Sequence, residues 1–298
     1  MRAAPDSEVT EQSLANTRLT VQISTKLNHS HVSTGRRALI LPTLGRTERD
    51  TQRTGDQRVT VEDSMSAVHA SRGRLKPASD HLHSEVAIVC NIAHKIFTAS
   101  TNLPLPNTPK ADWLAMRDDY SIIRKHIEAV LSGFENFEER LKNPGGFVLP
   151  HPPRDARKFD TASGKAHFTG NELEFIKVPA GRLVLQTLRS HDQYNTTIYG
   201  KDDRYRGIHG GRRVVMVNAD DITELGFTAG DMVHLISEFQ GIERRAENFR
   251  IVSYSTPKGC AAAYYPETNV LVPLDSVADT SGTPTSKSVI VRLERAEA

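Results

Sequence analysis

The last third of the chain is cut into short β-branched runs, and that segmentation limits the fold more than any other feature. "RLVLQTLRS" (182–190), "RRVVMVN" (212–218), "MVHLIS" (232–237), "FRIVSYS" (249–255), "VLVPLD" (270–275) and "VIVRLE" (289–294) are each strand-length and bounded by turn formers. One helix interrupts them, "NADDITELGFTAGD", with Asn218 or Asp220 placed to cap it and Gly226 to end it. Many short strands with a single helix fit a barrel or a sandwich better than a sheet between helical layers.

The front of the chain reads differently. "PDSEVTEQSLANT" has a helix-start signal at Pro5-Asp6-Ser7, "RLTVQIS" alternates as a strand does, and "RALILP" is an apolar run that suits a buried strand. Helix, strand and buried strand are the parts of an α/β layer, here opening on a helix with no strand before it. Residues 43–80 are polar and read as a long loop. "SEVAIVCNIAHKIF" carries Val86, Val89, Ile92, Ala93 and Ile96 at helical spacing, and "WLAMRDDYSIIRKHIEAVLSGF" reads as one further helix ending at Gly133. The Pro- and Gly-rich stretch "NPGGFVLPHPPRDARKFDTASGKAHF" predicts a domain boundary near 160–172, giving domains 1–163 and 164–298.

Composition excludes several classes. Lys and Arg number 38 against 36 Asp and Glu, so there is no global electrostatic case for nucleic acid. No run of 18 apolar residues predicts a membrane span, and the N-terminus lacks the apolar core of a secretory signal. A cytoplasmic location is expected, with Cys90 and Cys260 as reduced thiols. Two cysteines outside any CxxC pair are too few for a zinc site or an iron–sulfur cluster. The pairs His29/His31 and His81/His83 have no third ligand at a suitable spacing, so no metal site is expected.

The densest polar stretch runs from Arg189 to Asn218 and holds His191, Gln193, Tyr194, Asn195, Thr196 and Thr197, then Lys201, Arg204, Arg206, Arg212 and Arg213. Together "HDQYNTTIYGKDDRYRGIHGGRRVVMVNADDITELGFTAGDMVHL" resembles the dinucleotide-binding domain of molybdopterin oxidoreductases, most closely the formate dehydrogenase-like alpha-subunit branch. "LTVQISTKLNHSH", "LILPTLGRTERD" and "VTVEDSMSAVHASRGRLKPASDHLHSEVAIV" resemble the same branch upstream, so the likeness covers nearly the whole chain. It implies the second half of a Rossmann-like α/β domain followed by a six-stranded double-psi β-barrel. It also implies a molybdenum bis(molybdopterin guanine dinucleotide) cofactor. Full-length members carry upstream cysteines for a [4Fe–4S] cluster and a Cys or selenocysteine on the metal; none has a counterpart here. The resemblance therefore points to a C-terminal portion whose expected partner is the missing N-terminal half, either separately encoded or lost from a truncated gene.

A pyrophosphate calls for arginines and backbone N–H groups, and a guanine or pterin edge for amide, carboxylate and hydroxyl partners. On that chemistry and the resemblance, His191, Gln193, Tyr194, Asn195 and Thr196 are expected to face pterin and phosphates. Arg204, Arg206 and Arg212 are expected on the anionic parts. In "YYPETNVL", Asn269 is expected to contact a pterin with Tyr265 nearby. Asn218 is expected first as a helix cap. Lys26 and Asn28, in the loop after a strand end, are further candidates; Glu62-Asp63 could order a loop. No nucleophile–base pair is visible, since in this class the cofactor carries the redox chemistry. Two readings of different class follow: the dinucleotide-binding part of an oxidoreductase, and a non-catalytic cofactor- or partner-binding remnant. A segment 1–160 on its own is expected to be poorly soluble, and 170–298 to fold independently.

Overall fold

The computed structural model describes residues 4–99, 111–172, 175–191, 193 and 200–297. In chain order these form α1 (Ser7–Ala15), β1 (Thr20–Ser24), β2 (Ala38–Pro42), β3 (Thr51–Gln52), β4 (Gly55–Asp56), β5 (Val59–Glu62), β6 (Ala67–Ser71), α2 (Glu85–Ala99), α3 (Trp113–Asp118), α4 (Tyr120–Val130), α5 (Phe137–Arg140), β7 (Phe147–Val148) and α6 (Pro152–Ala156). Then follow β8 (Leu183–Leu188), β9 (Val214–Val217), α7 (Ala219–Glu224), β10 (Met232–Phe239), β11 (Ile242–Ser253), β12 (Cys260–Tyr264) and β13 (Val289–Arg295). They divide into two compact units, one of Met1–Gln22, Lys26–Ile40 and Glu172–Ala298, the other of Ile23–Thr25 and Leu41–Asn171. The Pro- and Gly-rich stretch thus lies in the second unit, and most of the first forty residues group with the C-terminal strands.

Those strands close into a six-stranded barrel in the order β10-β11-β9-β12-β8-β13. β11 pairs parallel with β9 and β12 parallel with β8, while the other neighbours run antiparallel. Closure leaves no free edge to satisfy. Side chains alternate inward along β8, where Leu183, Leu185 and Thr187 are buried. The central β9 is buried at every residue. Leu183, Leu185, Val215, Val217, Val233, Leu235, Phe249, Ile251 and Val291 fill the interior.

The order has a consequence for the chain path. β12 lies between β8 and β9, so the segment leaving β8 must pass the end of β12 to enter β9. Leu188 pairs with Tyr264, and Val215 with Ala263, so the exits of β8 and β12 and the entry of β9 share one end of the barrel. Residues 189–191, 193 and 200–213 are its described part. Asn218, at the far end of β9, stands at the opposite end.

Several expectations are corrected. "VLVPLD" is not a strand: Asn269–Leu271 is a 3₁₀ turn followed by loop. The sixth strand is "CAAAY", whose Ala261, Ala262 and Ala263 are buried where two neighbours leave room only for small side chains. "RALILP" forms β2, yet Leu39 and Ile40 are about half exposed; β1 and β2 make a sheet of two strands only. The stretch 43–80 holds β3 to β6, including the hairpin-like pairing of β5 with β6, which polar residues conceal from a hydrophobicity reading. The single helix expected over 113–134 is two, broken at Asp119, whose extended backbone and side chain cap α4. On α2 the buried positions are Ala87, Ile88 and Cys90, with Phe97 stacked on Trp113, whereas Val89, Ile92 and Ile96 are exposed.

The second unit is organised around a buried polar group rather than a large apolar core. The Tyr120 hydroxyl donates to Asp50 (2.5 Å) and shares a hydrogen bond with Ser84 (2.6 Å). Burial first, and then Asp50, push its pKa up. Phe137, Leu141, Phe147 and Val68 form a small cluster beside α5 and β7.

Leu235 is fully buried at the centre of the barrel. Leu235→Ala is expected to destabilise the chain by about 2–5 kcal/mol through lost burial and a residual cavity. Urea unfolding followed by far-UV circular dichroism measures it; a loss under about 1 kcal/mol would contradict this account of the core.

Candidate functional site

The passage over the barrel end is fastened by one side chain. Arg212 sits at the entry to β9 and is 7% exposed. Its Nε donates to Glu267 Oε1 (3.0 Å), Nη1 to Ser190 Oγ (2.7 Å), and Nη2 to Gln193 Oε1 (2.8 Å) and to the Tyr265 carbonyl (2.8 Å). The guanidinium also lies over the Tyr264 ring at 4.8 Å. A buried cation is tolerable only when paired and fully hydrogen-bonded, and these partners meet that condition. They come from both strand exits: Ser190 and Gln193 follow β8, and Tyr265 and Glu267 follow β12. Gln193 completes the lock, its Nε2 donating to the Tyr265 carbonyl (3.1 Å) and its Oε1 accepting from the Ser190 N–H (3.1 Å).

A second buried group holds the middle of the passage. Asp203, 2% exposed, accepts from Arg206 Nη1 (2.7 Å), the Tyr264 hydroxyl (2.9 Å) and the His191 N–H (3.4 Å). Burial pushes its carboxyl upward, but Arg206 and Tyr264 outweigh that and leave its pKa below the ordinary carboxylate range. Burial first, then Asp203, raise Tyr264. The His191 and Tyr205 ring centroids lie 3.7 Å apart with the planes tilted by 35°, and the Arg204 guanidinium lies over Tyr205 at 4.9 Å.

Beside the Tyr265–Asn269 turn, whose Tyr265–Pro266 peptide is cis, lies a cavity of about 290 Å³. Asn269, Tyr265, Thr187, Ser286 and Lys287 supply its polar lining, and Pro5, Val272 and Pro284 its apolar part. Asn269 is 4% exposed, and its carbonyl accepts from the Asp6 N–H (2.9 Å). Asp6 also pairs with Arg244 (2.9 Å), so the start of α1 is anchored at the same barrel end. Arg189 Nε donates to the Tyr265 hydroxyl (2.9 Å), and Lys287 Nζ donates to the Thr187 carbonyl. Burial, and then the nearby Arg189, lower the pKa of Lys287. The chemistry on offer is an amide, hydroxyls and two cations around a small polar hollow.

The structure brings Gln193, Arg212, Tyr265 and Asn269 together, with His191 close by through Asp203. Arg204 reaches the Tyr205 ring, and Arg206 is paired with Asp203. Tyr194, Asn195 and Thr196 lie outside the described residues. Asn218 is at the other end of the barrel, its amide accepting from the Asp220 N–H (2.9 Å) and donating to the Thr256 carbonyl (2.8 Å). Asn28 caps a short 3₁₀ turn by accepting from the Ser30 N–H (2.9 Å); neither it nor Lys26 lines the cavity. Sequence reasoning missed Ser190, Asp203, Glu267 and Lys287. Ser190 and Glu267 adjoin motifs that were singled out, whereas an isolated Lys287 in "TSKS" gives no local signal. Among the described residues no group of three or more His, Cys, Asp or Glu could hold a metal.

The family described as "Molydopterin dinucleotide binding domain" matches residues 183–290. Over 297 residues the chain is 58% identical to proteins named "Uncharacterized oxidoreductase" in Mycobacterium tuberculosis and Mycobacterium bovis, an alignment covering 98% of this chain and 37% of theirs. It is 42% identical over 299 residues to Protein YdeP of Escherichia coli K12, covering 98% of this chain and 38% of that protein. Among solved structures, acetylene hydratase from Pelobacter acetylenicus superimposes with a TM-score of 0.61 at 12% identity, over 99% of this chain and 43% of that one, a likeness of fold. The chain thus spans little more than a third of the length of the curated relatives it matches.

Two outcomes test the site. Arg212→Met leaves Glu267 buried without its cation and Gln193 and Ser190 short of a donor; it is expected to cost about 3–5 kcal/mol, with Arg212→Lys intermediate because a point charge cannot reach all four acceptors. Chemical denaturation reads both, and a Lys variant as stable as wild type would show that the fork does not matter. For Asp203, whose folded pKa is depressed, the unfolded state binds more protons in acid, so its stabilisation is present above the unfolded value of about 4 and is lost as pH falls through the folded one. The stability gap between wild type and Asp203→Asn should hold from neutral pH to about pH 5 and shrink below about pH 4; a gap flat to pH 2.5 removes the assignment.

Proposed function

We propose, from the match of residues 183–290 to the molybdopterin dinucleotide-binding domain and the likeness to the oxidoreductases above, that the chain is part of a molybdopterin oxidoreductase and that this barrel end grips part of a molybdenum bis(molybdopterin guanine dinucleotide) cofactor. The enzyme would be formate dehydrogenase-like and cytoplasmic, and the rest of it would lie in the part of the longer relatives that this chain does not span.

One observation carries the proposal. Arg212 fixes both strand exits, and with them Gln193, Tyr265 and Asn269, around a polar hollow. The donor set fits the group: the Asn269 amide and the Thr187 and Ser286 hydroxyls suit the hydrogen-bonding edge of a pterin, and Lys287 with Arg189 suits its anionic parts. The exposed Tyr205 ring offers a flat face of the kind a fused ring packs on. When bound, the cofactor supplies two-electron redox chemistry at molybdenum; these side chains bind and orient it. Formate is the nearest substrate by family resemblance, which fold alone does not fix.

A [4Fe–4S] cluster does not fit this chain. There are two cysteines, Cys90 buried on α2 and Cys260 at the start of β12, the barrel end away from Tyr265. A cluster would belong to the part of the longer relatives that this chain does not span. Exposed Val21, Leu39 and Ile40 on the two-stranded β1–β2 sheet support a partner that covers it. No helix among the described residues is long and apolar enough to cross a membrane. The second reading, a cofactor- or partner-binding module without chemistry of its own, is favoured by Cys260 standing at the barrel end opposite the Tyr265–Asn269 turn.

Metal and pterin analysis of the purified chain tests the proposal. Alone it is expected to carry no stoichiometric molybdenum. Co-produced with the complementary part of a relative in a cofactor-synthesising host, it is expected to purify with molybdenum and pterin. Asn269→Ala is expected to lower the pterin content severalfold without unfolding the chain. Stoichiometric molybdenum on the isolated chain would overturn the partial-enzyme reading, and unchanged pterin in Asn269→Ala would overturn the assignment of the cavity.

A further inference from the structure

α2 is apolar on more than the side it buries. Most of its fifteen residues are apolar. Ala87, Ile88 and Cys90 face the interior and are almost wholly buried. α3 holds that side: Arg117 Nη1 donates to Asn91 Oδ1 (3.0 Å), and Phe97 stacks on Trp113 with ring centroids 5.8 Å apart. Ser84 fixes the first turn by accepting from the Ala87 N–H (3.1 Å). Val89, Ile92 and Ile96 fall at i, i+3 and i+7, so they share one stripe, yet they are 52%, 38% and 47% exposed. Their spacing is the one that predicts the buried side of this helix. The helix cannot turn to bury them, because Ala87, Ile88 and Cys90 would be drawn out of the packed interior and Arg117 would lose Asn91.

We propose that Val89, Ile92 and Ile96 are the docking face for the part of the longer relatives that this chain does not span, which would meet them with an apolar surface. The inference rests on the partial-enzyme reading above. A helix apolar on two sides belongs between two layers, and this chain supplies one of them. The chain covers 37% of the Mycobacterium tuberculosis relative, so that protein has ample further sequence to supply the other. A second copy of this chain is the poorer occupant. The stripe runs only about 10 Å along the helix, and a stable dimer buries about 1,600 Å² in total. Interfaces between domains of one chain begin at about 600 Å², a demand that a short stripe and its surroundings come closer to meeting. The other exposed pair on this unit, Val59 and Val61 of β5, stands opposite Ser71 and His69, so no apolar face continues from it.

The test compares this chain alone with a chimaera, the Mycobacterium tuberculosis relative whose aligned segment is replaced by this chain. Ile92→Cys and Ile96→Cys are made in both, and the rate of maleimide labelling at each is read against the parent, whose Cys90 is buried and whose Cys260 is partly so. Labelling is expected to be at least about tenfold slower in the chimaera, because the reagent must wait for the face to open. Equal rates in the two proteins overturn the proposal. Labelling of the isolated chain that slows as its concentration rises assigns the stripe to a second copy and overturns it as well.

Ile92→Asp supplies a readout without a reagent. It is expected to leave the unfolding midpoint of the isolated chain unchanged, since the position is solvated there, and to lower that of the chimaera by burying an unpaired charge. An unchanged midpoint in both overturns the proposal. The molybdenum content of the chimaera is measured separately. Protection of the stripe without molybdenum counts against the cofactor reading and leaves the docking face standing; molybdenum without protection does the reverse.

Discussion

The barrel end depends on a charge placed where water cannot reach it. Arg212 is almost wholly buried, and a lone guanidinium there would cost several kcal/mol. Five donors in a rigid fork let it satisfy a carboxylate, a hydroxyl, an amide oxygen and a carbonyl together, which a lysine could not do. Because these acceptors sit on two different strand exits, satisfying the charge and shaping the site are one event. Any rearrangement of the Ser190–Gln193 segment would strand the cation, so the local geometry is held by the penalty for leaving it as much as by the bonds themselves.

That interaction is possible only because of the strand order. A tight turn joins only adjacent antiparallel strands, and β8 and β9 are not adjacent. With β12 between β8 and β9, the connection from β8 is forced across the mouth of the barrel. The same order sends Tyr265 out at that mouth and Asn218 and Cys260 out at the opposite one. The distribution of polar residues follows from this: the passage and the Tyr265–Asn269 turn gather amides, hydroxyls and cations, whereas Asn218 serves a helix start and a loop carbonyl.

Much of the barrel was legible in its short β-branched runs, and the failures have physical causes. "VLVPLD" looks like a strand because burial of Leu271 and Val272 does not distinguish a core-facing loop from a ladder. "CAAAY" looks like nothing in particular, since alanine has no strand preference; close packing between two neighbours chose it. "RALILP" promised a buried strand, but burial needs a covering layer that a two-stranded sheet lacks. Within the site, Gln193, Tyr265 and Asn269 stood in recognisable motifs. Arg212 and Arg213, adjacent in sequence, could not be told apart there. The strand entry turns one inward to the lock and leaves the other facing solvent. Lys287, distant in sequence, reaches the site only through the closure of β13 on β8.

Lys287 also shows how the site's electrostatics bear on what enters it. Its ammonium is disfavoured by burial and by Arg189, and both effects act on the charged form. An anion in the adjoining hollow would supply the missing counter-charge and return the group toward its ordinary range. Binding of an anionic ligand would then draw a proton onto Lys287 wherever the free chain leaves it partly neutral. The paired arginines elsewhere on the barrel have no such latitude, because their counter-charges are built in. The hollow beside Lys287 is therefore a place where the fold leaves cationic charge to be completed from outside.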